Sequence, residues 1–127
     1  MLTVPLMHPV LCMQSRIANV LHPATKRRDD TAMRQLHAAP IVVREYIAEA
    51  LDDGDRREAH LCLQEIFRYL RSDVLGHSTH AQTPIDPLDI IHHFADDPRF
   101  DSRYREHNIT SMIAEIEDRR QRNEVAS

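Results

Sequence analysis

Glycine is scarce in this chain, which has only Gly54 and Gly76 among 127 residues. Phosphate-binding loops, dinucleotide-binding motifs and tight β-hairpin turns need glycine where the backbone turns left-handed or approaches a ligand closely. The sequence contains none of these motifs. Tryptophan is absent and aromatic residues make up 5 % of the chain. The core must therefore consist mainly of leucine, isoleucine, valine, alanine and methionine.

Cysteines and long apolar runs are also few. Cys12 and Cys62 lie 50 residues apart, a separation that matches no metal or redox motif. A reducing compartment is the simpler expectation for such a pair, so the sequence predicts a cytoplasmic protein. No segment approaches the run of about 18 apolar residues that a membrane-spanning helix needs. We therefore expect no membrane partner.

The residues that are present suit one small domain with an uneven distribution of charge. Hydrophobic residues make up 42 % and charged residues 28 %, which is ordinary for a globular chain of this length. Residues 1–28 contain four basic and no acidic residues, whereas residues 29–127 contain 12 arginines and 20 acidic residues. These observations predict a flexible basic arm over 1–28, a helical domain over 29–123 and a disordered tail over 124–127.

The apolar pattern predicts an all-α fold. No segment alternates as a strand would, and apolar residues recur at intervals of three and four. We expect a single small domain of four to five short helices around a helical hairpin at 40–71. Within that hairpin, Gly54 suits a left-handed helix stop, and Asp55 with Glu58 suits a capping box that begins the second helix.

Local signals predict the remaining boundaries. Pro40 is expected to begin a helix and to separate it from a shorter one at Asp30–Ala38. Residues 72–85 are expected to be a polar loop. Within the N-terminal arm, a short helix is possible at Met13–Leu21. Later helix starts are predicted from capping residues at Asp86 before Pro87, at Asp97 before Pro98, and at Asn108 or Thr110.

Histidine is the first candidate for chemistry, with nine residues in the chain. A divalent metal ion needs side chains that converge on one point, and His77, His80 and His92 lie in one tract. Adjacent histidines on a helix point about 100° apart, so His93 cannot easily join His92 on one ion. The simpler interpretation of these residues is scattered surface histidines.

No catalytic residue is predicted. Cys62 falls on the apolar stripe of its helix, where a buried thiol is inert, and His60 faces another side. No nucleophile elbow is present, and paired acids are common on helix surfaces. The sequence therefore predicts neither an enzyme nor a cofactor.

Two basic clusters suggest contact with nucleic acid as an alternative. Phosphate contacts need a basic face that neighbouring acidic residues do not neutralise. Acidic residues flank both clusters, so nucleic acid is an open but less favoured partner. The candidate residues are Lys26, Arg27, Arg28, Arg119, Arg120 and Arg122.

Residues 40–68 carry a resemblance to a known family. The stretch Tyr46-Ile-Ala-Glu-Ala-Leu-Asp-Asp-Gly54-Asp55 resembles the Tyr-Leu-x-x-Ala-Leu-x-x-Gly-Asp segment in the N-terminal helices of addiction-module antidote proteins, the antitoxins. The family's helix-turn-helix is not found in the residues that follow, so no DNA-binding residue is carried over. The resemblance implies a small regulatory protein that binds a partner through its helical surface.

The leading functional prediction is a non-enzymatic bacterial regulatory or interaction protein of antitoxin, immunity, inhibitor or adaptor type. Short amphipathic helices often complete their burial against another protein or a second copy of the chain. The alternatives are a DNA-associated transcriptional regulator and a metal-binding protein. Because aromatic residues dominate interface energetics, the candidate contact residues are Tyr46, Phe67, Phe94, Phe100 and Tyr104.

Overall fold

A computed structural model describes residues 8–24, 26 and 28–126, and it confirms a small all-α single domain, with no strand in those residues. These described residues form six helices, whereas the sequence predicted four to five, and several helices are longer than expected. The sixth, α6, spans 102–126 and contains a π-helical turn. The helices are α1 (Pro9–Leu21), α2 (Asp30–Asp52), α3 (Arg56–Ser72), α4 (Val74–Gln82), α5 (Leu88–Phe94) and α6 (Ser102–Tyr104, the π turn Arg105–Ile109, and Thr110–Ala126).

The N-terminal helix α1 belongs to the core, which corrects the prediction of a flexible arm. It includes the short helix expected at Met13–Leu21 and packs against α2, α3 and α4. Its apolar residues recur at intervals of three and four, and this stripe is fully buried: Val10, Met13, Ile17 and Val20. Of the four basic residues that suggested an arm, Arg16 lies within this helix and the other three follow it in the chain. Residues 1–7, 25 and 27 lie outside the described residues.

Helix α2 runs through Pro40 without a break, whereas the sequence predicted two helices there. Proline removes one helical hydrogen bond and costs about 3 kcal/mol in a helix interior. The apolar stripe continues across it, with Leu36, Val43 and Ile47 all 0 % exposed. Burial of each such side chain contributes about 1.5–3 kcal/mol. Packing on both sides of Pro40 therefore outweighs the local cost.

The hairpin between α2 and α3 is confirmed, with the Gly54 stop and one of the two hydrogen bonds of the predicted capping box. Gly54 adopts the left-handed conformation, with φ at 82°. Its N–H donates to the carbonyl of Leu51 (3.1 Å) and the N–H of Asp55 donates to that of Ala50 (2.8 Å), the two bonds of a Schellman motif. The Asp55 carboxylate then accepts from the backbone N–H of Glu58 (3.1 Å). These contacts close the α2–α3 turn and begin α3 immediately.

Helix α4 occupies most of the region predicted as a polar loop. Asp73 caps it by accepting from the N–H of Leu75 (2.9 Å). A Cβ added to Gly76 would lie only 2.1 Å from the Tyr69 carbonyl oxygen, so the absence of a side chain lets α4 approach the end of α3. Thr79 is fully buried and donates to the Leu75 carbonyl (2.7 Å). The small and polar residues that suggested a loop are what allow this close packing.

The C-terminal region differs from expectation at two helix starts. Asp86 accepts from the N–H of Leu88 (3.0 Å) and begins α5 as predicted, but Asp97 closes only a turn, with the N–H of Phe100 donating to its carbonyl (3.1 Å). Neither Asn108 nor Thr110 caps a helix, because α6 already runs through both. Thr110 donates to the Arg105 carbonyl (3.0 Å) inside the π turn.

The predicted tail at 124–127 is helical as far as Ala126, and Ser127 lies outside the described residues. Among the helices of the described part, none is long and apolar enough to span a membrane.

Candidate functional site

A cluster of polar side chains lies where the start of α1 meets the α2–α3 hairpin. We call it the Glu58 cluster, and it consists of His8, Tyr46, Glu58 and Cys62. One carboxylate oxygen of Glu58, Oε1, lies 2.8 Å from His8 Nε2, 3.0 Å from the Tyr46 hydroxyl and 3.7 Å from Cys62 Sγ. Cys62 Sγ also lies 3.7 Å from His8 Nε2. The cluster thus joins three helices at one carboxylate.

Helix geometry places each member of the cluster. His8 is the N-cap of α1, and its Nδ1 accepts from the backbone N–H of Val10 (3.1 Å). Glu58 and Cys62 are four residues apart on α3 and so share one face. Tyr46 lies on α2, with its ring edge-to-face with the His8 ring at 4.9 Å between centroids.

The hydrogen bonds fix the proton positions in the cluster. A backbone N–H always donates, so His8 Nδ1 must carry no proton, and the proton of the neutral ring sits on Nε2. His8 Nε2 therefore donates to Glu58, as do the Tyr46 hydroxyl and the Cys62 thiol. Hydrogen bonding by His8 lowers the pKa of Glu58, against the opposing effect of burial. Glu58 is accordingly an ionised acceptor of three hydrogen bonds.

Cys62 is not an activated nucleophile in this arrangement. Burial first, and then the charge and hydrogen bond of Glu58, raise its pKa to about 12. Burial and the same carboxylate raise the pKa of Tyr46 to about 12. The predicted burial of the thiol is confirmed, and its inertness stays a prediction. His60 does not contact it, because the His60 ring stacks on that of Tyr104 at 3.9 Å between centroids.

Two leucines border the cluster. Besides the His8–Glu58 contact, α1 and α3 are joined by Gln14, which donates to Glu65 at 3.1 Å. Leu11 lies three residues from both His8 and Gln14 along α1, and Leu61 lies three from Glu58 and four from Glu65 along α3. Both leucines therefore lie between the two polar contacts, and each is 48 % exposed. We call this surface the α1–α3 seam: His8, Leu11, Gln14, Glu58, Leu61 and Glu65.

The histidines proposed as metal ligands are not brought together. His77 Nε2 lies 2.6 Å from the Arg71 carbonyl oxygen, and His92 Nε2 lies 3.1 Å from a Glu117 carboxylate oxygen. A shared metal ion needs three or more histidine, cysteine or acidic side chains whose potential ligand atoms lie close together. Among the described residues, one such group has all these atoms within 4.8 Å of one another. That group is His8, Glu58 and Cys62, not the predicted set of His77, His80 and His92.

The C-terminal arginines line a cleft of ≈ 410 Å³ between the end of α3, α4 and α6. Two of the three are in ion pairs. Arg120 binds the Asp86 carboxylate through both its terminal nitrogens (2.7 and 2.8 Å), and Arg122 pairs with Asp118 (3.1 Å). Arg119 donates to the Arg71 carbonyl (3.3 Å). Much of the positive charge of this cluster is therefore compensated within the chain.

The N-terminal basic cluster is described only in part. Lys26 and Arg28 are exposed, and Arg28 donates to the Gln82 carbonyl at 3.2 Å. Arg27 lies outside the described residues.

The five predicted contact aromatics fall into two groups. Phe94 and Phe100 are 0 % and 1 % exposed and pack edge-to-face at 5.9 Å between centroids. These two belong to the core and are not accessible to a partner, which corrects their predicted role. Tyr46, Phe67 and Tyr104 are only partly buried and pack against the core, so their role in binding stays a prediction.

Sequence reasoning missed the Glu58 cluster for a specific reason. The sequence predicts Glu58 as half of a capping box, but its carboxylate turns toward His8, and the Asp55 N–H donates to the Ala50 carbonyl instead. His8 was assigned to a flexible arm, 50 residues from Glu58. The four-residue spacing of Glu58 and Cys62, which places them on one helix face, was the available signal. It indicates a site only once α1 is known to bring His8 next to them.

Comparison with known proteins gives no match: no family model, curated protein or solved structure is significantly similar to this chain. The resemblance of residues 40–68 to antitoxins therefore stays a prediction.

Proposed function

We propose that this chain is a non-enzymatic bacterial protein that regulates a partner protein by binding it through the α1–α3 seam. The observation that carries the proposal is the pair Leu11 and Leu61, each 48 % exposed, framed by hydrogen-bonded polar residues. An apolar centre with a polar rim is the usual anatomy of a protein-binding surface. Antitoxin, immunity, inhibitor and adaptor proteins all fit this description.

The state of the Glu58 cluster supports binding rather than catalysis. Its thiol and its phenol both have pKa values of about 12, so neither is ionised at neutral pH. General acid–base and nucleophilic catalysis need groups whose pKa lies near the working pH. The cluster instead fixes α1 against α2 and α3, which gives the seam a rigid shape before a partner arrives.

Charge indicates the kind of partner. The chain carries a net charge of −4, and residues 29–127 carry all 20 acidic residues. Opposite charge accelerates association and like charge suppresses it. We therefore expect a basic partner with an apolar anchor, in preference to a second copy of this acidic chain.

Affinity purification of the tagged protein from its native host, with nuclease treatment, tests the proposal when Leu61→Gln is compared with Ile41→Gln. Ile41 is also 48 % exposed, but it lies about 200° around α2 from the buried residue Val43 and so faces away from the core. Leu61→Gln should reduce recovery of a stoichiometric protein partner by about tenfold or more, and Ile41→Gln should not.

Equal recovery by both variants would contradict the seam as the binding surface. Partners that disappear on nuclease treatment would favour the second candidate, a DNA-associated regulator, for which the arginine-lined cleft is the supporting observation. That alternative predicts binding to duplex DNA that falls steeply as salt rises. Absence of duplex binding at low salt would eliminate it.

A further inference from the structure

We propose that His8, Glu58 and Cys62 form a binding site for one thiophilic divalent transition-metal ion, with Zn²⁺ as the best match. This is a different metal site from the His77, His80 and His92 set, and it does not depend on the proposed partner-binding function. The three side chains supply a ring nitrogen, a carboxylate oxygen and a sulfur. That mixture suits Zn²⁺, whereas Mg²⁺ and Ca²⁺ prefer sites made of oxygen alone.

The distances between the ligand atoms fit a tetrahedral ion. Bonds of about 2.0–2.3 Å at tetrahedral angles place the ligand atoms about 3.3–3.6 Å apart. The Cys62 Sγ atom lies 3.7 Å from both His8 Nε2 and Glu58 Oε1, which is close to that spacing. The third edge, between Nε2 and Oε1, is 2.8 Å and must open by about half an ångström. The His8 side chain is 33 % exposed, so we expect it to rotate by this amount when the ion binds.

The surrounding elements hold the ligands in place. Glu58 and Cys62 are one turn apart on the same helix, so their separation is fixed by α3. The Tyr46 hydroxyl binds the Glu58 carboxylate at 3.0 Å, an outer contact of the type that orients metal-ligating carboxylates. Three protein ligands leave a fourth position for water or for a group from a partner.

Metal binding requires two proton movements. The Cys62 thiol loses its proton to solvent, because a coordinating thiol is deprotonated by the ion. His8 remains neutral, but its proton moves from Nε2 to Nδ1, since Nε2 becomes the ligand. One proton is released per ion bound, and affinity should therefore rise with pH.

The second movement has a structural consequence. A protonated Nδ1 cannot accept the Val10 N–H, so the helix cap of α1 is lost when the metal binds. Loss of a cap weakens a helix only modestly, whereas metal coordination ties the start of α1 directly to α3. Binding of the ion should thus stabilise the docking of α1 in spite of the lost cap.

Cobalt(II) spectroscopy on the untagged, reduced full-length protein tests this site. Co²⁺ replaces Zn²⁺ in such sites and gives a thiolate-to-cobalt charge-transfer band that weak surface histidine binding does not produce. The test variants are Cys62→Ser and His8→Asn; asparagine is a good N-cap residue and so removes the ligand while preserving the cap. The matched controls are Cys12→Ser, within α1, and His22→Asn, at the residue that directly follows α1.

We expect one Co²⁺ per chain and the charge-transfer band in the native protein and in both controls, with displacement of Co²⁺ by Zn²⁺. The band should be absent in Cys62→Ser, and Co²⁺ affinity should fall by at least about tenfold in His8→Asn. Absence of the band in the native protein, or its persistence in Cys62→Ser, would overturn the proposal. Unchanged affinity in His8→Asn would overturn the three-ligand arrangement.

Discussion

Glu58 is the residue on which the candidate site depends, because a single oxygen accepts hydrogen bonds from three helices. Its side chain is 29 % exposed and that of His8 is 33 % exposed, so the cluster is shielded from water without being sealed from it. A carboxylate in such a position stabilises the fold through the hydrogen bonds that it accepts. Together with burial, which has the larger effect, its charge raises the pKa of Cys62 and so keeps the thiol protonated. The negative charge of Glu58 therefore contributes both to the stability of the fold and to the protonation state of Cys62.

Glu58→Gln should lower the free energy of unfolding by about 1–3 kcal/mol, since the neutral amide accepts these hydrogen bonds more weakly and introduces a donor beside three others. Urea denaturation at pH 7 measures the change. Glu117→Gln is the matched control, because Glu117 is 57 % exposed and pairs only with His92 among the contacts described; its effect should stay within about 0.5 kcal/mol. Equal losses in the two variants would contradict the role given to Glu58.

The charge of Glu58 should also make the stability of the protein depend on pH in the acidic range. The folded state lowers the pKa of Glu58, so its contribution is complete above the unfolded-state carboxyl pKa of about 4.3 and is lost as pH falls through the folded value. Stability of the native protein should therefore decline below about pH 4.3 more steeply than that of Glu58→Gln. Parallel pH profiles for the two proteins would be inconsistent with this linkage.

At the scale of single elements, α2 shows which helix boundaries the local sequence predicts correctly and which it does not. The apolar stripe and the Gly54 stop correctly predicted the hairpin, because both reflect the geometry of one helix and its cap. Pro40 predicts a helix boundary, since proline is disfavoured inside a helix. What the sequence could not show is that buried Leu36 and Val43 pack on both sides of it, a fact of tertiary contact.

Pro40→Ala tests this continuity of α2. If Pro40 lies inside one helix, alanine restores an N–H for the missing helical bond and should raise the free energy of unfolding by up to about 3 kcal/mol. Thermal and urea denaturation measure the effect. A loss of stability would instead indicate that proline begins a separate helix, where its fixed φ is favourable.

The dependence on tertiary contacts also explains the other segments for which the sequence prediction was wrong. Residues 72–85 contain Gly76 and many polar side chains, and only contact with Tyr69 reveals why glycine is needed in a helix there. The π turn in α6 has no clear sequence signal. The Glu58 cluster combines residues from α1, α2 and α3, and so it could not be predicted before α1 was placed in the core.

At the scale of the whole molecule, α1 is the helix that the core, the Glu58 cluster and the α1–α3 seam have in common. It supplies His8 to the Glu58 cluster, Leu11 to the α1–α3 seam and four residues to the core. Without it, α3 would expose part of its apolar face, and neither the proposed binding surface nor the proposed metal site would exist. The fold, the proposed function and the further inference all require α1 to be docked in the native state.

Hydrogen exchange of the α1 backbone amides, followed in increasing denaturant, tests that requirement most directly. If α1 is part of the cooperative core, the amides of Met13 and Ile17 should exchange only through near-global unfolding, within about 1–2 kcal/mol of the protection of Val43 and Ile66. Rapid exchange across α1, with full protection retained in α2 and α3, would mean that the segment is a detached arm and would contradict the account.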